Sequence, residues 1–340
     1  MSDRVLLTGI SGFLGGHVAL ALLHAGYTVR GSVRDLGKAD AVRQAMGRAG
    51  ADVSRLEFVK LDLLAADGWD VAMEGVRYLQ HTASPFLLRM PRDRMELVRP
   101  AVDGTARALE AALKADVERI VLTSSMAAIA YGHGASRTAP FTADDWTALD
   151  GGGVNPYVES KTRAERRAWE IMQAAGRAAD LAVINPALIL GPLLDRDPGT
   201  SAVVIQRLMN GSVPAAPRIP LMIVDVRDVA AAHVAAMTAP EAAGRRFPMG
   251  EKTLYLREVA AILRQAFPER ARRIPRFELP DWIVRLYALF DSDVRSNIGE
   301  LGMFRRLDSG AVLRLLGRDL IPARDSIVAT GESFVREGLV

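Results

Sequence analysis

A glycine-rich turn close to the amino terminus constrains the fold more than any other feature of the sequence. The run TGISGFLG occupies residues 8–15, after the apolar run 5–7 and at the start of a segment, 13–23, with helical periodicity. This order predicts a strand, a tight turn and a helix. The first turn of such a helix presents free N–H groups and the positive end of the helix dipole, so the pattern predicts a turn that binds the phosphates of a dinucleotide.

Each glycine of this turn has its own steric reason. Gly9 would let the chain leave the strand in a tight turn, Gly12 would let the backbone approach a pyrophosphate, and Gly15 would let the helix pack against the strand. The other side chains predicted to contact the same ligand are Ser11, Phe13 and Leu14. Glycines also occur at strand-to-helix turns for turn geometry alone, so a purely structural turn stays open at this point.

Predicted strands alternate with predicted helices over the first half of the chain. Helical patterns separate most of the apolar runs that are predicted as strands, which are 5–7, 27–34, 56–60, 76–81, 119–123 and 181–185. This alternation is typical of an α/β fold with a doubly wound parallel sheet and helices on both faces.

The composition changes after residue 190, where loops and short helices follow. We therefore predict a dinucleotide-binding core at 1–190, with a returning segment at about 221–250. A smaller, mostly helical substrate lobe is expected to comprise residues 191–220 and 251–340. The cleft between core and lobe is predicted to hold the substrate.

The composition excludes several classes of function. The chain has 340 residues, of which 49% are hydrophobic, enough for a large core, and it has no cysteine. Disulfides, thiolate zinc sites and cysteine nucleophiles are therefore excluded, and five histidines without ligand spacing predict no metal site. The net charge of +3 comes from 43 basic and 40 acidic residues without a basic patch interleaved with aromatics, which predicts no nucleic-acid partner.

Two further features concern location. The chain enters a predicted strand within its first residues, which leaves no room for a signal peptide. The longest apolar stretch, 181–194, is too short to span a bilayer and contains Pro186 and Pro192. We therefore expect a cytoplasmic protein without a membrane partner, as a monomer or a homodimer.

A second set of polar residues is predicted at the carboxyl edge of the sheet. Tyr157 and Lys161 are four residues apart at the start of a predicted helix, so they share one face of it. Thr123, Ser124 and Ser125 end the fifth predicted strand and follow it, which places hydroxyl groups at the same edge. An amphipathic tyrosine with an exposed lysine would show the same spacing, so the spacing alone is a weak motif.

These residue types suit the reduction of a carbonyl group. A carbonyl that receives a hydride from a nicotinamide needs a proton on its oxygen, and a tyrosine with a free pKa of about 10 is a poor acid at neutral pH. A neighbouring ammonium favours the phenolate and lowers that pKa, and it can also hydrogen-bond to a cofactor ribose. A serine hydroxyl can stabilise the charge that develops on the carbonyl oxygen.

Taken in order, these motifs resemble those of the extended short-chain dehydrogenase/reductases. The group that the sequence resembles most comprises dihydroflavonol reductases, cinnamoyl-CoA reductases and yeast-type carbonyl (methylglyoxal) reductases. The resemblance runs from residue 4 to about residue 231 and implies a Rossmann-type sheet. It rests on the glycine turn and on VRD at 33–35, LDL at 61–63, HTASP at 81–85, TSS at 123–125, YVESK at 157–161, NP at 185–186, GP at 191–192 and VDVRDVA at 224–230.

The resemblance also implies roles for individual residues. Ser125, Tyr157 and Lys161 would form the catalytic triad, with Tyr157 as proton donor and Ser124 as the second choice for the serine. Tyr157, Lys161 and the glycine turn would also contact the cofactor. At the adenine the implied contacts are Asp62 and Leu63, and near the pyrophosphate and ribose they are Thr82, Ala83 and Ser84. The implied contacts at the nicotinamide are Pro186, Leu188 and Ile189, and two further cofactor contacts are Thr123 and Ser201. The substrate pocket would combine Ser125 with three residues that fit ordinary core positions equally well, which are Phe86, Tyr131 and Met222.

Arg34 distinguishes between the two nicotinamide cofactors. Sites that prefer NAD place a carboxylate at the end of the second strand, where it accepts a hydrogen bond from the ribose 2′-OH. Arg34 at that position suits a 2′-phosphate instead, and we predict NADP(H) as the cofactor. Asp35 follows directly and counts against this interpretation. Lys38 would add a second positive charge, although a solvated helix lysine fits its position equally well.

The sequence therefore predicts an NADPH-dependent carbonyl reductase. Its substrate would be a small-molecule carbonyl compound, an aldehyde or a ketone, and the reaction would be reversible. Alanine and isoleucine at 127–130 disfavour a flavonoid substrate, and the absence of the run Asn-Trp-Tyr-Cys before the catalytic helix disfavours an acyl-CoA thioester. Two alternatives stay open. One is a nucleotide-sugar epimerase or dehydratase that retains NAD, and the other is a non-catalytic NADPH-sensing protein.

Overall fold

A sheet of seven parallel strands forms the centre of the protein, whose computed structural model describes residues 3–84, 93–134, 137–290, 295 and 298–340. The strands in chain order are β1 Arg4–Thr8, β2 Thr28–Val33, β3 Leu56–Lys60, β4 Tyr78–His81, β5 Arg119–Thr123, β6 Leu181–Pro186, β7 Leu188–Leu190, β8 Ala216–Pro217, β9 Pro220–Asp225, β10 Arg245–Met249, β11 Lys252–Tyr255 and β12 Glu278–Leu279. The central sheet has the order β10-β6-β5-β4-β1-β2-β3. This arrangement confirms the predicted doubly wound parallel sheet.

Helices cover both faces of this sheet. In the described residues they are α1 Phe13–His24, α2 Ala39–Arg48, α3 Trp69–Met73, α4 Met95–Lys114, α5 Pro156–Ala174, α6 Val203–Met209, α7 Val226–Thr238, α8 Leu256–Ala266, α9 Asp281–Tyr287, α10 Gly310–Leu316 and α11 Ala323–Arg336. Strands β4 and β6 are buried along their full length. Apolar residues on both faces of a strand are what a parallel sheet between two helical layers requires.

Two apolar clusters join the sheet to its helical layers. On one face, α1, α2, α7 and α10 contribute side chains such as Val18, Met46 and Val229. On the other face, α3, α4 and α5 contribute side chains such as Leu109 and Met172. The catalytic helix predicted from the sequence, α5, therefore packs against the sheet through its apolar face and leaves its first turns at the carboxyl edge.

The chain after β6 builds a second, smaller sheet. In it, β9 pairs in parallel with β7 and antiparallel with β11. Helices α6, α8 and α11 pack on this sheet around Ile223, Leu263 and Phe334. The segment 221–250 is predicted to return to the core. Its strand β10 extends the central sheet and its helix α7 packs on that sheet, whereas its strand β9 lies in the smaller sheet.

The order of strands reverses between β1 and β4. The chain proceeds outward from β1 through β2 to β3 and then crosses to β4 on the other side of β1. In open α/β sheets, ligands bind at the carboxyl edge beside such a reversal, because the loops that follow the two neighbouring strands diverge there. The glycine turn follows β1, and residues 82–84 follow β4, so both lie at this point.

None of the helices in the described part of the chain combines the length and the apolarity that crossing a bilayer requires.

Candidate active site

The glycine turn has the close contacts that its three glycines predict. Gly9 has a φ of +77°, and a Cβ there would lie 2.9 Å from the Cα of Ala83. A Cβ on Gly15 would lie 2.0 Å from the carbonyl oxygen of Gly9, so α1 can approach β1 only with glycine at this position. Gly12 is exposed, and a Cβ there would meet only the Gly9 oxygen at 3.4 Å. The exposed side of Gly12 is therefore open to a ligand.

The start of α1 fits an anionic group. Gly12 is the cap residue of the helix, and within the described part of the chain no side chain caps the first-turn N–H groups. Those groups are consequently available to phosphate oxygens. Ser11, Gly12 and Phe13 line one small cavity here, together with Asp195, which the sequence analysis did not identify. Leu14 instead packs against the apolar cluster beneath the turn.

A short polar network holds residues 82–84 against the turn. The Thr82 hydroxyl donates to the backbone oxygen of Thr8 at 2.6 Å, and the Ala83 N–H donates to the Thr8 hydroxyl at 3.3 Å. The same Thr8 hydroxyl lies 2.9 Å from Nδ1 of His81. Burial lowers the pKa of His81 to about 3, so this imidazole is neutral at physiological pH. Ser84 is exposed beside this network.

The end of β2 offers a positive charge that the neighbouring acid does not neutralise. Arg34 is exposed, and within the described residues no hydrogen bond or ion pair engages its guanidinium. The Asp35 carboxylate accepts a hydrogen bond from the Gly37 N–H at 2.9 Å and caps the turn Leu36–Lys38. Asp35 thus caps a local turn, and within the described residues it forms no ion pair with Arg34. Lys38 is exposed on the same turn.

The end of β3 lies next to β2 in the sheet. Asp62 is exposed there, and its Oδ1 accepts from the Leu64 N–H at 2.9 Å. Leu63 packs close to Gly104 of α4 and is partly exposed. Both residues follow the strand beside Arg34, at the side of the sheet where the adenine end of a dinucleotide would lie.

Ser125, Tyr157 and Lys161 come together at the carboxyl edge of β5. Asn155 caps α5 by accepting from the Val158 N–H at 2.9 Å, which fixes the first turn of the helix. The Tyr157 side chain is hydrogen-bonded to that of Ser125. The Lys161 Nζ lies 6.0 Å from the centroid of the Tyr157 ring. The structure therefore assembles residues that are 36 positions apart in the chain (161 minus 125) into one cluster.

Burial perturbs both titrating members of this cluster. Desolvation raises the pKa of Tyr157, an effect that the Ser125 hydrogen bond partly offsets. Desolvation lowers the pKa of Lys161 to about 8, while the charge of Glu165 acts in the opposite direction. The sequence predicts a tyrosine pKa lowered by the ammonium, but in the structure burial raises it, and the opposing effect comes from the Ser125 hydrogen bond. Tyr157 consequently keeps its proton at neutral pH, as a proton donor must.

The two serines after β5 have different environments. Ser125 is buried next to Tyr157, and its hydroxyl oxygen also accepts from the Ala127 N–H at 3.1 Å. The Ser124 hydroxyl points the other way and donates to Oε2 of Glu165 at 2.5 Å. Of the two serines, Ser125 is the one whose side chain is hydrogen-bonded to Tyr157, and it stays the first choice for the serine role.

One cavity brings together predicted cofactor residues from three stretches of sequence. Ala83 and Ser84 after β4, Thr123 at the end of β5, and Lys161 on α5 all line it. The Thr123 hydroxyl lies 2.9 Å from Nε2 of His233, which fixes its orientation.

The predicted nicotinamide contacts follow β6, the neighbour of β5. Pro186 is buried at the end of β6, and Leu188 and Ile189 are half-buried on β7. Ser201 is partly exposed on the loop that also carries Gly199, where a Cβ would lie 2.9 Å from Cβ of Phe13. Pro186, Leu188 and Ile189 therefore lie at or directly after the carboxyl end of β6, and Ser201 lies on the loop that follows β7.

The structure describes two of the three residues predicted to line the substrate pocket. Tyr131 lies close enough to Tyr157 for the charge of one phenolate to raise the pKa of the other, although burial is the main cause of the raised pKa of Tyr131. Met222 is buried in the apolar core, where its side chain packs against Gly250. Phe86 lies outside the described residues.

The second half of the chain brings a basic residue, Arg305, to Tyr131, which the sequence motifs do not predict. The Arg305 guanidinium stacks on the Tyr131 ring at 4.0 Å and pairs with Glu300 at 2.6 Å. Arg305 follows an irregular segment, and no local pattern marks it. Glu165, by contrast, is four residues after Lys161 on the same helix, a spacing that could have identified it. Among the described residues no cluster of His, Cys, Asp or Glu has the geometry to hold a metal ion.

The fold and this cluster define a dinucleotide-binding protein of the extended short-chain dehydrogenase/reductase type. The chain belongs to the NAD dependent epimerase/dehydratase family, which it matches over residues 5–250. This match confirms the resemblance that the sequence motifs indicate.

Individual relatives are reductases. The chain is 36% identical to cinnamoyl-CoA reductase CAD2 of Medicago truncatula over 273 residues, which cover 79% of this chain and 82% of the relative. It is 32% identical to the ketoreductase azaE of Aspergillus niger over 326 residues, which cover 88% and 93%. Among solved structures, yeast methylglyoxal/isovaleraldehyde reductase Gre2 complexed with NADPH superposes with a TM-score of 0.80 at 26% identity, and the match covers 99% of this chain and 100% of that one.

Proposed function

We propose that this protein is an NADPH-dependent carbonyl reductase that transfers hydride from NADPH to an aldehyde or ketone, with Tyr157 as the proton donor. The observation that carries the proposal is the Ser125–Tyr157 hydrogen bond, with Lys161 one helical turn away, at the carboxyl edge of a dinucleotide-binding sheet. The reductase relatives and the NADPH complex of Gre2 support an oxidoreductase that uses NADP(H).

The residues present fit the cofactor at both of its ends. The open face of Gly12 and the uncapped start of α1 would hold the pyrophosphate, and Arg34 would pair with the 2′-phosphate. The Lys161 ammonium would hydrogen-bond to the nicotinamide ribose. When bound, the nicotinamide supplies the hydride.

The protein's own residues supply the proton. Tyr157 is protonated at neutral pH because burial raises its pKa, so its Oη can donate to the carbonyl oxygen of a substrate. The Ser125 hydroxyl would donate to the same oxygen as negative charge develops there. One hydride on carbon and one proton on oxygen convert the carbonyl to an alcohol, and the reverse transfers oxidise the alcohol. We place the substrate in the cleft between the sheet edge and the chain after β6, next to Tyr131.

The test is oxidation of NADPH, and separately of NADH, by the purified protein with a panel of aldehydes, α-dicarbonyls, β-ketoesters, aryl ketones and one acyl-CoA thioester. We expect consumption of NADPH with the free carbonyls and little with the thioester. Dominant activity with the thioester would correct the substrate class and keep the reductase.

Silence with every compound would contradict the proposal. In that case the protein should be denatured and its supernatant analysed for a retained cofactor. Bound NAD would favour the nucleotide-sugar epimerase or dehydratase alternative, which the family description also covers. Tight NADPH binding without turnover would favour the sensor alternative.

A further inference from the structure

A buried ionic cluster lies directly behind Lys161. Glu165 on α5 is 1% exposed and pairs at 2.5 Å with Arg246 on β10, which is 7% exposed. Its Oε2 accepts from the Asn185 side chain on β6 at 2.7 Å and from the Ser124 hydroxyl at 2.5 Å. We call these four residues, Ser124, Glu165, Asn185 and Arg246, the Glu165 cluster. The cluster joins α5 to the ends of β5 and β6 and to the start of β10.

Stability alone does not account for such a cluster. Removing two charges from water costs several kcal/mol per ion, and apolar side chains of similar volume often replace a buried ion pair without loss of stability. The Arg246 guanidinium already stacks on Trp146 at 3.9 Å, so an apolar replacement would also find a packing surface. The carboxylate of Glu165 also acts on a neighbouring group.

That neighbour is Lys161. Glu165 follows it by one helical turn, and both side chains line the cavity described above. The groups that line this cavity or contact Lys161 are Tyr157 and Glu165 from α5, His81 from β4, Thr123 at the end of β5 and Ser124 directly after it, and Arg246 of β10 lies behind Glu165. His81 is neutral and Tyr157 is protonated at neutral pH, so Glu165 supplies the negative charge that favours the ammonium.

The cluster also acts on the serine side of the site. The Ser124 hydroxyl is anchored to Glu165, and the Asn185 amide donates to the backbone oxygen of Ser125 at 3.4 Å. Because Ser124 and Ser125 are adjacent, anchoring one side chain in the interior leaves the other to face Tyr157.

We infer that Glu165 is a positioning residue: its carboxylate, held by Arg246, keeps Lys161 as an ammonium near neutral pH and orients the Ser124–Ser125 segment. Its effect on turnover rests on the proposed function. Its effect on the charge of Lys161 does not, and it can be measured without turnover.

The direct test is a titration of the lysine side chains by NMR. The chain contains only five lysines, at 38, 60, 114, 161 and 252, so protein labelled with ¹³Cε-lysine gives few signals, and Lys161→Met assigns the one of interest. In Glu165→Gln we expect the Lys161 midpoint to move down by about one pH unit, because the variant removes a neighbouring negative charge that favours the ammonium.

Glu159→Gln is the matched control. Glu159 is also a buried glutamate of α5, and it pairs with Arg94 at 2.9 Å and Arg163 at 2.7 Å instead of facing Lys161. The midpoint should stay at its wild-type value in this variant. Because Glu165→Gln leaves Arg246 buried without its partner, the double variant Glu165→Gln/Arg246→Gln is measured in parallel, with the fold of each checked by circular dichroism. An unchanged Lys161 midpoint in either folded variant would overturn the inference.

Activity gives the second readout. With a carbonyl that the wild type reduces, the alkaline fall of kcat in Glu165→Gln should move to lower pH in step with the NMR midpoint. A purely structural role would lower kcat equally at all pH values and would contradict the inference. If the wild type reduces no carbonyl, the proposed function fails and the NMR titration still decides the role of Glu165.

Discussion

At the scale of single residues, the site depends on how burial changes proton affinity. Desolvation raises the pKa of Tyr157 and lowers that of Lys161, so burial separates the two pKa values and places that of the lysine well below that of the tyrosine. At neutral pH the tyrosine keeps its proton, and the lysine is an ammonium whose pKa of about 8 lies close to that pH. The protonation states of the two groups therefore depend on their position as much as on their residue type.

Tyr157→Phe should abolish turnover without removing the cofactor site. The phenyl ring keeps the packing but has no proton to donate, so we expect kcat to fall by at least about 100-fold, the usual contribution of a general acid. NADPH affinity, measured by fluorescence titration, should change little. Substantial remaining turnover would show that another group is the acid.

The Lys161 ammonium should set the alkaline limit of the reduction. Burial lowers the pKa of Lys161 to about 8, so the charged form dominates below that pH and is lost above it. We expect kcat to fall as pH rises through about 8. A profile that stays flat to pH 10 would mean that the charge on Lys161 does not matter for turnover.

Arg34→Ala should weaken NADPH binding and spare NADH. The guanidinium is exposed at the end of β2 and is free, within the described residues, to pair with a 2′-phosphate. A hydrogen bond between charged groups contributes about 1.5–3 kcal/mol, which corresponds to about 10- to 150-fold in Kd. Lys114→Ala, an exposed lysine paired with Asp70, is the control. Equal losses for both cofactors would exclude Arg34 as the selective contact.

At the scale of elements, the contact between β1 and α1 decides whether the glycine turn forms. A Cβ on Gly15 would fall 2.0 Å from a backbone oxygen, which only a movement of the helix can relieve. Gly16, the next residue of the same helix, has its nearest neighbour at 3.4 Å, the end of the Leu194 side chain. Two adjacent glycines therefore have different structural requirements.

Gly15→Ala should destabilise the fold, while Gly16→Ala should not. We expect Gly15→Ala to lower the free energy of unfolding by about 1–3 kcal/mol through overpacking, and to weaken NADPH binding as α1 shifts. Gly16→Ala should be neutral or slightly stabilising, since alanine is the better helix former by about 0.5–1 kcal/mol. Urea denaturation of both variants checks this. Equal stability of the two would show that α1 adjusts without cost.

At the scale of the whole molecule, a buried aspartate on α7, which packs on the central sheet, binds the segment that precedes the last helix. Asp228 on α7 is fully buried, accepts from the Ile321 N–H at 2.6 Å and pairs with Arg318 at 2.7 Å. Helix α11 begins two residues after Ile321 and packs on α6, α8 and β9. One side chain therefore links the central sheet to the helices of the smaller sheet.

Asp228→Ala should loosen that link. Leaving the Ile321 N–H without a partner costs about 1–3 kcal/mol, and Arg318 loses its carboxylate as well. We expect a lower free energy of unfolding and faster proteolysis around residues 317–322. Asp319→Ala, an exposed aspartate in the same segment, is the control. Unchanged proteolysis in Asp228→Ala would mean that apolar packing alone holds the segment.

The sequence by itself determined the local structure and most of the candidate site. Gly9, Gly12 and Gly15 mark the first strand–turn–helix unit, and the alternation of apolar runs and helical patterns predicts the parallel sheet. Tyr157 and Lys161 are brought onto one face by helix geometry alone. These features were predictable because neighbouring residues encode them through backbone sterics and the period of a helix or strand.

Only the tertiary structure decided how distant segments meet. Strand β10 joins β6 at the edge of the central sheet, while β9 leaves to pair with β7 and β11, and no local pattern distinguishes these outcomes. Arg246 reaches Glu165 across 81 positions of sequence, and Arg305 reaches Tyr131. The pKa values of Tyr157 and Lys161 belong here too. Burial and pairing depend on which strands become neighbours, a property of the folded chain that residue type and spacing do not contain.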